Sequence, residues 1–317
     1  MRKLRVGVIG AGYLGKFHAE KYALIPEVEL VGVVDPDREN RTRVAKKLET
    51  EAFSDHRALL GRVDAVSIVA PTPLHYALAS EFLKNDVDLL IEKPMTVTLG
   101  EADALIAMAE EQGRIVQVGH LERYNPAVVA LREFVRKPRF IESHRLATFK
   151  QRGTDVSVVL DLMIHDIDII LNLVRSEVTS LHAAGIAVIS KHVDIANARL
   201  AFKNGCVANI TASRISTKNE RKIRLFQKNA YISVDFANRH ISVIEKDKNE
   251  DGGGVIPGMA VRELCFTEGD ALEDEIRAFV HSVIQRKEPE VSGTVGRAAL
   301  AVALDVMDQI KSTGRQF

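Results

Sequence analysis

Along the first 120 residues, short apolar runs alternate with longer amphipathic ones. The runs at 4–9, 28–34, 65–69, 88–91 and 115–118 are too short and too uniformly apolar for surface helices and read as buried strands. Between them, 16–24, 37–48, 73–84 and 101–112 have helical texture; the last is announced by Thr98 with Glu101 three residues on and stopped by Gly113. Strictly alternating strands and helices predict an α/β Rossmann fold, a doubly wound parallel sheet covered on both faces.

After Gly119 the pattern changes. Asn125 followed by Pro126 reads as a helix cap, with a helix to about residue 137. A second long helix is predicted over 156–174. Extended segments follow at 178–189, 195–202, 207–215, 222–225, 231–236 and 241–245, with Asn204-Gly205 as a hairpin turn. Residues 252–254 read as a loop, and 273–285 and 298–310 as helices. The expectation is a C-terminal α+β domain with a large, mainly antiparallel open sheet. The division is then 1–120 and 121–317, with a late helix able to pack back on the first domain.

The first strand breaks into Gly10, Gly12 and Gly15, the spacing G-x-G-x-x-G, and the second strand ends in Asp35. Strand, glycine turn, helix, strand and acid in that order form a dinucleotide site. The turn residues Tyr13 and Leu14 join this cofactor set. Asp35 accepts ribose hydroxyls and repels a 2′-phosphate, which favours NAD over NADP; Arg38 and Arg41 nearby soften that preference. Pro71, Thr72 and His75 follow the strand ending at Val69, where open α/β sheets bind ligands. A proline-rich turn with Thr72 as a helix cap explains the same residues without a ligand.

Two more clusters carry candidate chemistry. Glu92, Lys93 and Pro94 follow the strand at 88–91; the Lys93 ammonium can bind the oxygen of a reacting alcohol, with Glu92 as its tether. A surface ion pair is the plain alternative. Asp161 and His165 stand four apart on the predicted helix, with Asp168 on much the same side, a pattern suited to proton removal from a hydroxyl. Carboxylate and imidazole at this spacing also suit zinc, but no third ligand accompanies them and no metal is assigned.

Together these residues resemble the glucose-fructose oxidoreductase / inositol dehydrogenase / MocA family of NAD(P)-dependent sugar oxidoreductases. The resemblance rests on the glycine turn with Asp35, on Thr72 to His75, on Glu92-Lys93-Pro94, on Gly119 through Arg123, Tyr124, Asn125 and Pro126, and on Asp161 with His165. It implies that Lys93, Asp161 and His165 are catalytic, and that a substrate hydroxyl meets Lys93, His165 and the nicotinamide. Arg123, Tyr124 and Asn125 are further candidate substrate contacts, or simply cap and pack the helix that follows. It also implies a homo-oligomer, dimer or tetramer. Met163, and the run beginning at Asp155, depart from the family's glycine-rich pattern there. The segments 121–126 and 160–168 resemble the branch that oxidises nucleotide sugars, the UDP-N-acetylglucosamine 3-dehydrogenases. Inositol or free-sugar oxidation, reduction of an imine or bilin-like substrate, and a non-catalytic NAD- or sugar-sensing regulator of the same fold remain the alternatives.

Composition narrows the partners. Lys plus Arg and Asp plus Glu each total 43, so the net charge is zero and points to neither nucleic acid nor membrane. The basic runs at 132–139 and 214–224 read as solvated faces, with room for a local anion site. Cys206 and Cys265 form neither a metal spacing nor a disulfide framework. With no signal-type segment at the N-terminus, the expected location is the cytoplasm.

Overall fold

The structure is a computed structural model that describes residues 2–150, 156–246 and 258–314. Asp155 and the loop at 252–254 lie outside the described residues. The chain forms two compact units: Met1–Leu121 with Asp270–Ala298, and Glu122–Gly269 with Ala299–Phe317. The segment 270–298 thus belongs to the first unit.

The first unit alternates β1 (Leu4–Ile9), α1 (Gly15–Ala23), β2 (Val28–Val34), α2 (Arg38–Leu48), β3 (Glu51–Phe53), β4 (Ala65–Ile68), α3 (His75–Leu83), β5 (Asp88–Glu92), α4 (Leu99–Glu111) and β6 (Val116–Gly119). The strands form one parallel sheet in the order β3-β2-β1-β4-β5-β6. Asp37 caps α2 by accepting the N–H groups of Glu39 and Asn40, and Thr98 and Glu101 close a reciprocal capping box on α4. β3 escapes sequence reading because it is three residues long and mostly exposed.

The second unit begins with α5 (Pro126–Phe134), capped by Asn125, and β7 (Pro138–Leu146). A π-helical turn, Val159–Met163, leads into α6 (Ile164–Val174). Then come β8 (Val178–Ile186), β9 (Ile195–Phe202), β10 (Val207–Ser213), β11 (Glu220–Gln227), β12 (Ala230–Asp235), β13 (His240–Lys246) and β14 (Met259–Cys265). They make an eight-stranded sheet, β14-β13-β12-β11-β7-β10-β9-β8, antiparallel except where β7 meets β10.

α7 (Ala271–Gln285) belongs to the first unit, where Ile276, Phe279, Val280 and Val283 join the core with Val6, Tyr22 and Val33. α8 (Gly293–Gly314) passes from the first unit to the second at Ala299. Beyond that point Ala299, Ala303, Val306 and Ile310 pack with Val128 and Leu131 of α5 and Ile167 and Ile170 of α6, along with the apolar residues of the large sheet. Among the described residues no helix is long and apolar enough to cross a membrane.

Candidate functional site

In the first unit the candidate cofactor residues sit at the carboxyl ends of β1, β2, β4 and β5. Gly10 has φ +99°, and a Cβ there would stand 2.7 Å from the Val69 carbonyl oxygen. A Cβ on Gly15 would fall 1.7 Å from the Gly10 carbonyl oxygen. Both positions need glycine for the turn itself. Gly12 is different, because a Cβ there would meet nothing within 4 Å. Protein packing does not demand this glycine, and its open face leaves room for a pyrophosphate to come close. No side chain caps α1 at Leu14, so the positive end of the helix is left for an anion. Tyr13 is exposed and stacks edge-on against Phe17.

Asp35 is buried at the end of β2 and braces this turn. Its Oδ2 accepts the Ala11 N–H at 2.7 Å and its Oδ1 the Asp37 N–H at 2.8 Å. A carboxylate has about four acceptor positions, so two remain for ribose hydroxyls. Arg41 donates through Nη1 to the carbonyls of Asp35 and Pro36, at 3.2 and 2.9 Å, while Arg38 is exposed. The donor set, the open glycine and the uncapped helix fit a dinucleotide.

Pro71 is exposed and Thr72 half-buried in a short 3₁₀ turn. His75 is buried, and both ring nitrogens meet backbone carbonyls: Nε2 that of Ala70 at 2.7 Å, Nδ1 that of Pro94 at 3.0 Å. Burial pulls this imidazole below its ordinary pKa, against the opposing pull of the two carbonyls. His75 thus ties the loop after β4 to the loop after β5. Glu92 is fixed by His18, whose Nε2 lies 3.1 Å from Oε1, and accepts the backbone N–H of Lys93 through Oε2 at 3.3 Å. The Lys93-Pro94 bond is cis.

In the second unit, Asp161 lies in the π-helical turn and His165 in the first turn of α6, both half-buried. The turn breaks the simple four-residue spacing of an α-helix. Asp161 Oδ2 is 4.0 Å from Nη2 of the buried Arg214, whose Nε is also 4.0 Å from Oδ1 of the buried Asp194. Arg214 also donates to the Val156 carbonyl at 2.7 Å, so at this position the 214–224 run is not a solvated face. Asp168, three residues beyond His165 on α6, is buried and receives a hydrogen bond from Arg123. Asn125 caps α5 through the Ala127 N–H and donates to the Phe236 carbonyl, which spends its side chain on local structure. Tyr124 is half-buried beside it.

Sequence reasoning misses several buried polar residues. Arg145 of β7 holds Asp166 through Nε and Nη2, and Glu122 through Nη1. Burial pushes the Glu122 carboxyl up, but the adjacent guanidinium outweighs it and leaves Glu122 below the ordinary range. Arg145 itself is held up by Asp166 and Glu122 against its own burial. These partners share no sequence spacing; only the packing of the turn at Glu122 and of α6 against β7 brings them together.

Residues 4–120 match the family model described as "Oxidoreductase family, NAD-binding Rossmann fold", and residues 128–233 match "GFO/IDH/MocA C-terminal domain". The chain is 41% identical over 310 residues to UDP-N-acetylglucosamine 3-dehydrogenase of Acidithiobacillus ferrooxidans, covering 96% of this chain and 97% of that protein. The chain belongs to the Gfo/Idh/MocA family. A solved structure of that dehydrogenase, GnnA, superposes with a TM-score of 0.93 at 40% identity, covering 98% of this chain and 99% of that one. Myo-inositol 2-dehydrogenase of Thermotoga maritima is 28% identical over 320 residues, 94% of this chain and 93% of that protein. This Gfo/Idh/MocA chain is therefore an NAD-binding oxidoreductase of CH–OH groups, and the glycine turn and Asp35 lie within the matched NAD-binding Rossmann region.

Proposed function

We propose that the chain oxidises the 3-hydroxyl of UDP-N-acetylglucosamine to a ketone, using NAD⁺ in preference to NADP⁺. The observation that carries this reading is the 41% identity to a UDP-N-acetylglucosamine 3-dehydrogenase over nearly the whole of both chains. The preference for NAD⁺ rests on Asp35, whose carboxylate accepts hydroxyls and repels a phosphate.

NAD⁺, when bound, accepts the hydride from the carbinol carbon. The chain supplies the rest. The Lys93 ammonium binds the hydroxyl oxygen and stabilises the negative charge that grows as the proton leaves. The His165 imidazole takes that proton, the general-base role open to a histidine side chain. Asp161 accepts a hydrogen bond from a neighbouring sugar hydroxyl and fixes the ring. One proton is released per alcohol oxidised, and His165 returns it to solvent.

The test is turnover with a panel of sugars. UDP-N-acetylglucosamine with NAD⁺ should yield NADH and a sugar nucleotide lighter by two hydrogens in the mass spectrum. Turnover of myo-inositol alone would replace this substrate with a cyclitol.

A further inference from the structure

Under the carboxyl end of β5, three side chains from three elements of the first unit meet. His18 of α1, Glu92 of β5 and Glu275 of α7 offer atoms that all lie within 4.8 Å of one another. His18 reaches Glu92 through Nε2 and, through Nδ1 at 3.3 Å, the hydroxyl of Ser67, which in turn lies 2.8 Å from the Tyr22 hydroxyl. Gly119 makes room, since a Cβ there would stand 2.9 Å from Glu92 Oε1. Glu275 is 0% exposed, and neither of its carboxyl oxygens has a hydrogen-bond partner among the described residues. Its helix is tied to β6 by another route: Gln117 donates to the Glu275 backbone carbonyl at 3.1 Å.

Two carboxylates this close and this buried do not both ionise. Burial first, and the charge of Glu92 second, push Glu275 well above the ordinary carboxyl range. The groups facing it are Glu92 from β5 and His18 and Tyr22 from α1. Glu92 has the more favourable setting for the charge, because His18 and the Lys93 N–H both engage its oxygens.

We propose that Glu275 is a positioning residue for Lys93: it donates a carboxyl O–H to Glu92 and so fixes the carboxylate that holds the Lys93 backbone. A small rotation of either glutamate, or one bridging water, spans the separation. With His18 on one Glu92 oxygen and Lys93 N–H on the other, the O–H of Glu275 supplies a third hydrogen bond to an anion with about four acceptor positions. Glu275 touches neither substrate nor cofactor in this scheme. The proposal rests on Lys93 being the reactive lysine.

The test compares Glu275→Gln, which keeps a donor in nearly the same volume, with Glu275→Leu, which removes it. Glu275→Gln should keep kcat within about threefold and overlay the wild-type pH–rate profile, whereas Glu275→Leu should lose about tenfold or more in kcat, the worth of one charge-assisted hydrogen bond, with the Kd for NADH unchanged. Infrared difference spectra of wild type minus Glu275→Gln above neutral pH should contain the carbonyl stretch of a neutral carboxylic acid. This readout needs no turnover, so it separates failure of the proposal from failure of the Lys93 assignment, and it stands even if Glu275→Leu does not fold. Absence of that band, full activity in Glu275→Leu, or equal loss in both variants would overturn the proposal. Zinc-dependent thermal stabilisation abolished by Glu275→Gln would overturn it too, in favour of a metal ion balancing the cluster.

Discussion

Arg123 Nε donates to Asp168 Oδ2 across 2.8 Å, and both side chains are almost wholly buried. The pairing commits a residue that the sequence offers as a substrate contact to the interior of the second unit. Breaking a buried ion pair strands the surviving charge, at a cost of about 3–5 kcal/mol. Arg123→Ala should therefore lower the urea midpoint of unfolding by a corresponding amount while leaving the KM for the sugar nucleotide of the surviving folded enzyme close to wild type. Unchanged stability with a raised KM would return Arg123 to the substrate.

Asp35 braces the Ala11 N–H, and in the proposed reading its remaining acceptor positions take the ribose hydroxyls. Loss of charge-assisted hydrogen bonds worth about 1.5–3 kcal/mol predicts that Asp35→Ala weakens NADH binding by about ten- to hundredfold. Binding of NADPH should weaken less or improve, because the repelling charge is gone. Titration calorimetry with both cofactors checks this; an unaltered NADH to NADPH ratio would remove Asp35 from cofactor selection.

Lys93→Met should cut kcat by about 10²–10⁴-fold, the usual worth of a group acting on the reacting proton and oxygen, with NADH still bound. Fluorescence titration and steady-state rates separate the two quantities. In His165→Asn the limb of the pH–rate profile near neutrality should flatten. An unchanged profile would place the base elsewhere.

Glu122 is held below its ordinary pKa by Arg145, against burial. A depressed carboxyl contributes stability that is fully present above its unfolded value of 4.5 and lost as pH falls through the lower folded value. Wild type should thus exceed Glu122→Gln in stability most at neutral pH, and the gap should close as the solution is acidified below about pH 4.5. Melting temperatures of both proteins across that range measure it. A gap independent of pH would mean the charge of Glu122 contributes nothing.

The strands of the first unit were legible because each is a short apolar run ended by a turn signal, as in β1 and β5. The glycine turn and Asp35 were legible because dinucleotide binding imposes a fixed spacing on one stretch of chain. β7 was hidden for the opposite reason. Its inward positions include Ser143 and Arg145, so the apolar alternation that announces a strand is broken by the ion network it carries. β14 is largely exposed and shows no buried face. The π-helical turn at Asp161 has no signature in an apolar helix sequence. His18 and Glu275 are 257 positions apart, and only the packing of α1 and α7 in one unit makes them neighbours. The two backbone carbonyls met by the His75 ring were not legible, because motif position carries no information on where ring nitrogens point.

The central claim is oxidation of a nucleotide sugar by NAD⁺. It is tested most directly by incubating the purified chain with NAD⁺ and UDP-N-acetylglucosamine and following reduced nicotinamide together with the mass of the sugar nucleotide. The expected result is NADH formed in step with a product two hydrogens lighter, both abolished in Lys93→Met. No NADH with this substrate, under conditions where the same preparation binds NADH and oxidises myo-inositol, would contradict it.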